Sequence, residues 1–256
     1  MSAGRRLLLL RHGRTAWNAE GRVQGQLDPP LDDLGARQSR AAAAAVAALR
    51  PDVLLSSDLL RARAGAKQVS ELTGLPVRSD PGLREVWVGA WQGLTRDEAH
   101  CAFPAEYAAW QRGEDIRRGG GETYAEVGAR AASVILTAAD ELPDLGLAVA
   151  VTHGGTIRAL TGVLLELPPA QWWRLAAIGN CCWTVLAEGR RGWRLIENGV
   201  RPPGVTDAET PARVAWPPVA VAPDVEPQGE DGQPDDGMPP RTEPVGGTAV
   251  GDPSDS

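Results

Sequence analysis

Short unbroken apolar runs alternate with longer segments of helical composition along the first 200 residues. Residues 7–10 are four consecutive leucines, residues 52–55 read Asp-Val-Leu-Leu, and residues 147–151 read Leu-Ala-Val-Ala-Val. None shows a period-two alternation, so each is predicted to be a strand buried on both faces, with 147–151 the most central. Between them, residues 33–49 hold an alanine run of high helix propensity that stops before Pro51. Residues 59–72 form a second predicted helix, ended by Gly74 and Pro76, and residues 77–78 a short edge strand. A third helix is expected over 123–142, between Gly120-Gly121 and Pro143, and a fourth over 155–167. Residues 182–187 and 193–197 read as a closing antiparallel pair around Glu188-Gly189-Arg190. Residues 13–32 are predicted to be a polar loop, and 81–121, with Trp87, Trp91 and Trp110, loops and short helices. This alternation predicts a three-layer α/β/α fold with a mostly parallel central sheet.

Composition divides the chain. From Pro203 onward there are eleven prolines and eleven acidic residues against two arginines, so the net charge of -7 belongs to that stretch. Residues 1–202 are expected to form one domain, and 203–256 an acidic tail too poor in apolar residues to offset its ordering entropy. The near-neutral body gives no reason to expect a nucleic-acid partner. No signal peptide is apparent, and no run approaches the length of a membrane span. Cys101, Cys181 and Cys182 make no disulfide framework, which favours a reducing, cytoplasmic setting.

The candidate chemistry sits at strand ends. Two of the three histidines, His12 and His153, each precede a glycine and follow an apolar run. One such histidine is ordinarily structural; the repetition singles out the pair. Ser56 and Ser57 follow the 52–55 strand, so three segments converge at the sheet edge where α/β folds bind ligands. An unprotonated imidazole can attack a phosphoryl group, and arginines suit its oxygens through parallel charge-assisted bonds. Arg11 and Arg61 are the candidates for that task. A carboxylic acid is needed for the departing oxygen; Glu85 is one candidate, and composition alone does not choose it among 33 acidic residues. Metal binding by the two histidines is the alternative, but no HExxH or clustered-cysteine pattern accompanies them. Residues 21–25 match neither GxGxxG nor GxxxxGK[ST], and Gly119 to Gly121 reads as flexibility before a helix. Trp172 and Trp173 read as core, with the wall of a sugar-binding pocket as the alternative. His100 lacks the glycine-after-strand context and reads as structural or surface.

The order of motifs resembles the histidine phosphatase superfamily, the phosphoglycerate-mutase-like group. The opening Leu10-Arg11-His12-Gly13-Arg14-Thr15 is followed by Asn18 and Gln24-Gly25, then by Leu31, Gly35 and Gln38. Further blocks are Ser56-Ser57-Asp58-Leu59 with Arg61-Ala62, and Leu83-Arg84-Glu85 with Gly89 and Trp91 to Leu94. Gly121-Glu122-Thr123 and Thr152-His153-Gly154-Gly155-Thr156-Ile157-Arg158 complete the set, over residues 6–200. The resemblance implies that His12 becomes a phosphohistidine, that Arg11, Arg61 and His153 hold the phosphoryl oxygens with Asn18 assisting, and that Glu85 protonates the leaving group. It further implies a small-molecule phosphomonoester as substrate, no metal or cofactor, and a homodimer. The 68 positions from Glu85 to His153 resemble the shorter phosphatase branch rather than the mutases. A broad-specificity phosphatase, a mutase and a noncatalytic protein-binding member of the fold are the alternatives, the tail being the feature that favours the last. Arg14 stands where the family commonly has Glu or Gln, and Cys181-Cys182 where it has small or hydroxyl residues. Arg14, Arg22 and Arg118 are expected, in that order, to meet a second anionic group on the substrate.

Overall fold

The computed structural model describes residues 4–203. The acidic stretch 204–256 lies outside the described residues, and with it the expectation for the tail. Strands β1 (Arg6–Arg11), β2 (Val53–Ser56), β3 (Val77–Ser79), β4 (Leu147–Thr152), β5 (Trp183–Gly189) and β6 (Gly192–Val200) form one sheet in the order β3-β2-β4-β1-β5-β6. The pairings β3-β2, β2-β4 and β4-β1 are parallel, whereas β5 runs antiparallel to β1 and β6 to β5. The mostly parallel sheet and its antiparallel closing hairpin agree with the expectation from sequence. β3 is an edge strand and β4 is central, also as expected.

The apolar runs explain the layering. In β1, Leu7 and Leu9 face one helical layer and Leu8 and Leu10 the other. The first pair packs with Ala131 and Ile135 of α6 (Tyr124–Asp140) and Ile157 and Leu160 of α7 (Gly154–Leu164). The second packs with Ala42 and Val46 of α2 (Asp33–Ala48) and Ala62, Ala66 and Val69 of α3 (Leu60–Thr73). β4 divides in the same way, with Ala148 and Ala150 towards α6 and α7 and Val149 and Val151 towards α2 and α3. Each fully buried leucine contributes about 2 kcal/mol to this arrangement. A third apolar cluster, around Trp91, Tyr107, Trp110 and Trp172, roofs the excursion between β3 and α6. That excursion contains α4 (Arg96–Ala102) and α5 (Pro104–Gln111).

Element ends shift by a residue or two throughout, and three departures from expectation are larger. The 13–32 loop contains a short helix, α1 (Ala16–Glu20), started by a capping box in which Thr15 and Asn18 satisfy each other's backbone N–H groups. Five residues are too few to show helical periodicity, so only the cap marked it. α7 ends at Leu164 rather than 167, because Glu166 turns to a positive φ of 54°. β6 extends to Val200. Among the described residues no helix is long and apolar enough to cross a membrane.

The parallel strands deliver their ends to one edge. The His12 N–H donates to the Thr152 carbonyl at 3.0 Å and the Ser57 N–H to the Val151 carbonyl at 2.9 Å, so β1, β2 and β4 stop in step. The loop after β1 lies against the start of α2 with no room for side chains. A Cβ on Gly35 would fall 1.9 Å from the Arg14 carbonyl oxygen, and one on Gly13 would fall 2.4 Å from the Gly35 carbonyl oxygen. Gly35→Ala is therefore expected to lower stability by about 2 kcal/mol or more. A denaturant midpoint equal to that of the parent would contradict this close approach.

Candidate active site

His12 follows the last residue of β1 and is only 3% exposed. Its Nδ1 lies 2.7 Å from the Gly13 carbonyl oxygen, which can only accept, so the ring proton resides on Nδ1. Nε2 is left with its lone pair. Burial, and then the charges of Arg61 and Arg11, hold the imidazole pKa well below its usual value. The ring is neutral at physiological pH and suited to act as a nucleophile.

His153, at the end of β4, is fully buried, and its ring centroid is 5.1 Å from that of His12. Its Nε2 lies 2.8 Å from Ser57 Oγ. That oxygen also accepts the Leu59 N–H at 3.3 Å; with the hydroxyl proton donated to Nε2, the ring proton resides on Nδ1. His153 Nδ1 has no partner. Burial is the main reason its pKa is also held well down, with Arg61, His12 and Arg11 adding to the effect.

Two guanidinium groups flank these rings. Arg11 donates from one terminal nitrogen to the Ile178 carbonyl at 2.7 Å. Arg61, in the first turn of α3, is fully buried and donates to the Leu27 and Gly25 carbonyls at 2.8 and 2.7 Å. The Nε atoms of both are buried without a partner. An unmade buried donor costs about 1–3 kcal/mol, more when charged. Arg11 Nε, Arg61 Nε and His153 Nδ1 are three such donors close to a neutral imidazole, which is the requirement for holding a tetrahedral oxyanion.

Glu85 follows a 3-10 turn, and its carboxylate meets the N-terminus of α7. Oε1 accepts the N–H groups of Val86 and Thr156 at 2.9 and 3.1 Å, and Oε2 accepts that of Gly155 at 3.1 Å. Arg130 anchors the backbone beneath it, donating to the Gly82, Arg84 and Glu85 carbonyls while pairing with Glu122 at 2.9 Å. The side-chain Oδ1 of Asn18 accepts from the Thr15 N–H and from the Asn180 amide, and Asn180 also donates to the His12 carbonyl at 3.0 Å. The free amide nitrogen of Asn18 is thereby available to a ligand.

A cavity of about 230 Å³ joins these groups, with Arg11, His12, Asn18, Arg61 and Glu85 in its wall and His153 immediately behind His12. Arg22 and Arg118 also line it. Arg22 is matched by Glu20 and Glu98 at 3.0 and 3.2 Å. The expectation for Arg14 is corrected: its Nε pairs with Asp32 at 2.8 Å, bracing the N-cap of α2, and it takes no part in the cavity wall. Residues missed from sequence are Ser57 as the partner of His153, Asn180, the Glu122-Arg130 anchor, and Gln24, Arg96 and Tyr124 in the wall. Gln24, Asn180 and Glu122 lie inside recognisable motifs; Arg96 and Tyr124 carry no comparable signal. Trp172 is core and donates to the Leu167 carbonyl, and neither it nor Trp173 lines the cavity. Among the described residues no three His, Cys, Asp or Glu side chains are grouped to hold a metal ion.

Known proteins place this geometry in context. The profile of the Histidine phosphatase superfamily (branch 1) matches residues 7–200. The glucosyl-3-phosphoglycerate phosphatase of Mycobacterium tuberculosis strain H37Rv is 41% identical over 190 residues, covering 72% of this chain and 85% of that protein. A probable phosphoglycerate mutase of Yersinia enterocolitica is 35% identical over 180 residues, covering 68% and 81%. The solved structure of mycobacterial glucosyl-3-phosphoglycerate phosphatase with VO3 superposes with a TM-score of 0.72 at 40% identity, covering 77% of this chain and 99% of that one.

Because both active-site rings resist protonation, His12 and His153 are expected to titrate well below the ordinary histidine value of about 6.5. NMR of ring-labelled protein is expected to show both neutral at about pH 6. A midpoint at or above about 6.5 for either ring would contradict the desolvated site.

Proposed function

The chain belongs to the histidine phosphatase superfamily, branch 1, and is a phosphatase; from that premise we propose that it hydrolyses a small anionic phosphomonoester through a phosphohistidine on His12. The observation that carries this reading is the trio of unpartnered buried donors, Arg11 Nε, Arg61 Nε and His153 Nδ1, beside an imidazole whose Nε2 lone pair is free. In the first step Nε2 of His12 bonds to phosphorus as the ester oxygen departs with the P–O electron pair. Glu85 supplies the proton that oxygen needs. In the second step Glu85 takes a proton from water, whose oxygen attacks phosphorus as the bond to His12 breaks. Phosphate leaves, and both side chains return to their starting states. Arg11, Arg61, His153 and Asn18 hold the equatorial oxygens throughout, so the rate gain comes mainly from a preorganised positive site.

Glucosyl-3-phosphoglycerate is the proposed physiological substrate, with glucosylglycerate and phosphate as products. The mycobacterial relatives of that name support it, as do residues 24–28, 83–85, Gly89, Trp91 to Thr95, 164–168, Trp172, Gly179-Asn180 and Trp183-Thr184, which resemble that enzyme. The same reading places the enzyme in the cytoplasm, where its three thiols stay free, and takes its working unit as a homodimer.

A steady-state comparison of glucosyl-3-phosphoglycerate with the phosphoglycerates, alpha-ribazole phosphate and simple sugar phosphates tests the substrate. The first is expected to have the highest kcat/KM, and a flat profile would leave a broad-specificity phosphatase instead. Glu85→Gln tests the proton donor. In kcat/KM, which reports transfer to His12 and not the later hydrolysis, it is expected to slow alkyl phosphates by on the order of 100-fold and p-nitrophenyl phosphate, whose leaving group needs little protonation, by less than about tenfold. Equal losses on the two substrates would remove Glu85 from that role.

A further inference from the structure

The turn before β5 grips the strand end that carries the nucleophile. The Arg11 N–H donates to the Cys182 carbonyl at 3.0 Å, and the Cys181 N–H is shared by the Arg11 and His12 carbonyls at 3.1 and 3.2 Å. The Arg11 guanidinium closes the same contact through the Ile178 carbonyl. Cys181 holds a φ of +54°, in the left-handed region that a non-glycine residue seldom adopts. Such a conformation persists where the neighbours fix it, as they do here. Asn180 is buried beside it, and its side-chain Nδ2 donates twice, to the His12 carbonyl at 3.0 Å and to Asn18 Oδ1 at 3.2 Å. One amide group therefore joins the backbone of the nucleophile to the side chain offered to a phosphoryl oxygen.

Asn18 needs such a tether. It stands on α1, a helix of five residues, none of which is fully buried, so packing does little to fix that helix above the sheet. Within α1 the amide is already oriented. Its Oδ1 accepts the Thr15 N–H and the Thr15 hydroxyl, both at 3.2 Å. An N–H can only donate, so the atom facing it is the oxygen, which leaves Nδ2 for the phosphoryl group. These contacts belong to the capping box of α1 and move with the helix. The Asn180 bond crosses instead to the end of β1 and fixes Asn18 against His12. The His12 carbonyl has the Cys181 N–H as a second donor, so without the Asn180 amide the strand end stays bonded while Asn18 loses its link to it.

We propose that Asn180 is a positioning residue for phosphoryl transfer. It does not line the cavity, and it acts by setting the separation between the Asn18 amide and the His12 ring. The oxygen holder and the nucleophile then meet one phosphorus in register. The inference rests on the phosphatase reading above and adds to it a residue that touches no substrate. A group misplaced by about 1 Å can cost on the order of 100-fold in rate, which is the scale on which such a tether acts.

Asn180→Leu removes the amide at nearly constant volume. In kcat/KM for p-nitrophenyl phosphate it is expected to cost at least about tenfold in the parent, and less than about threefold in an Asn18→Ala background, where nothing remains to be positioned. Asn18→Ala alone is expected to cost at least about tenfold. The inhibition constant of orthovanadate, which takes up a five-coordinate geometry like that of the transferring group, is expected to rise in the same pattern. Losses of equal size in both backgrounds mark a general structural role and overturn the proposal, as does parent-like activity in Asn180→Leu or in Asn18→Ala. Asn180→Ala, which adds no bulk, takes the place of Asn180→Leu if a lowered melting temperature shows that leucine disturbs the turn, and is held to the same pattern. Turnover of p-nitrophenyl phosphate separates the two levels: its absence in the parent defeats the phosphatase reading itself, whereas its presence with additive losses defeats the positioning role alone.

Discussion

Positive charge held dry around a neutral imidazole is the constraint on which this structure turns. Arg11 and Arg61 are buried at the sheet edge, anchored by the Ile178, Leu27 and Gly25 carbonyl oxygens rather than by a full complement of acids. Asp28 approaches Arg61 only at 3.5 Å. Carbonyl dipoles fix the guanidinium planes without cancelling their charge, and burial, reinforced by that field, keeps both histidines unprotonated. A phosphoryl dianion entering this site finds its donors already oriented, so little reorganisation remains at the moment of reaction. Gathering buried like charges costs stability, and binding of a phosphoryl anion offsets that cost.

The remainder of the fold can be understood as support for that arrangement. Three parallel strands with unbroken apolar runs carry Arg11-His12, Ser56-Ser57 and Thr152-His153 to one line, and the helices packed on both faces exclude water beneath it. α3 delivers Arg61, and the N-terminus of α7 receives the Glu85 carboxylate. Glycines at 13 and 35 allow the loop after His12 to lie flat on α2, and the Glu122-Arg130 pair fixes the backbone on which Glu85 depends. Each device sits one contact away from a reacting group, and together they convert a common α/β scaffold into a rigid phosphoryl pocket.

Much of this was legible in the sequence because the signals were local. Four consecutive leucines ending in Arg-His-Gly mark a doubly buried strand and its functional end, and the repeat at His153 marks its neighbour. Arg61 and Glu85 became legible only through the spacing of whole motifs, since nothing in their immediate surroundings distinguishes them from other charged residues. Arg14 shows where such reasoning fails. Its place beside His12 suggested the pocket mouth, but its direction is decided by Asp32, eighteen positions away and capping another helix. Ser57 as the partner of His153, Asn180 beneath His12, and Tyr124 and Arg96 in the cavity wall are products of tertiary approach, invisible to periodicity. Gly119 to Gly121 read as slack for the same reason, although a Cβ on Gly89 would fall 1.9 Å from the Gly119 carbonyl oxygen: tightness between two backbones leaves no mark on either segment alone.

The most direct test of the central claim is rapid-quench labelling with p-nitrophenyl phosphate carrying radioactive phosphorus, stopped in alkaline denaturant during steady-state turnover. The fast-leaving group makes hydrolysis of the intermediate the slow step, so the covalent form accumulates. The account predicts base-stable, acid-labile label on the peptide containing His12. Turnover with no protein-bound label, or label on any residue other than His12, would contradict it.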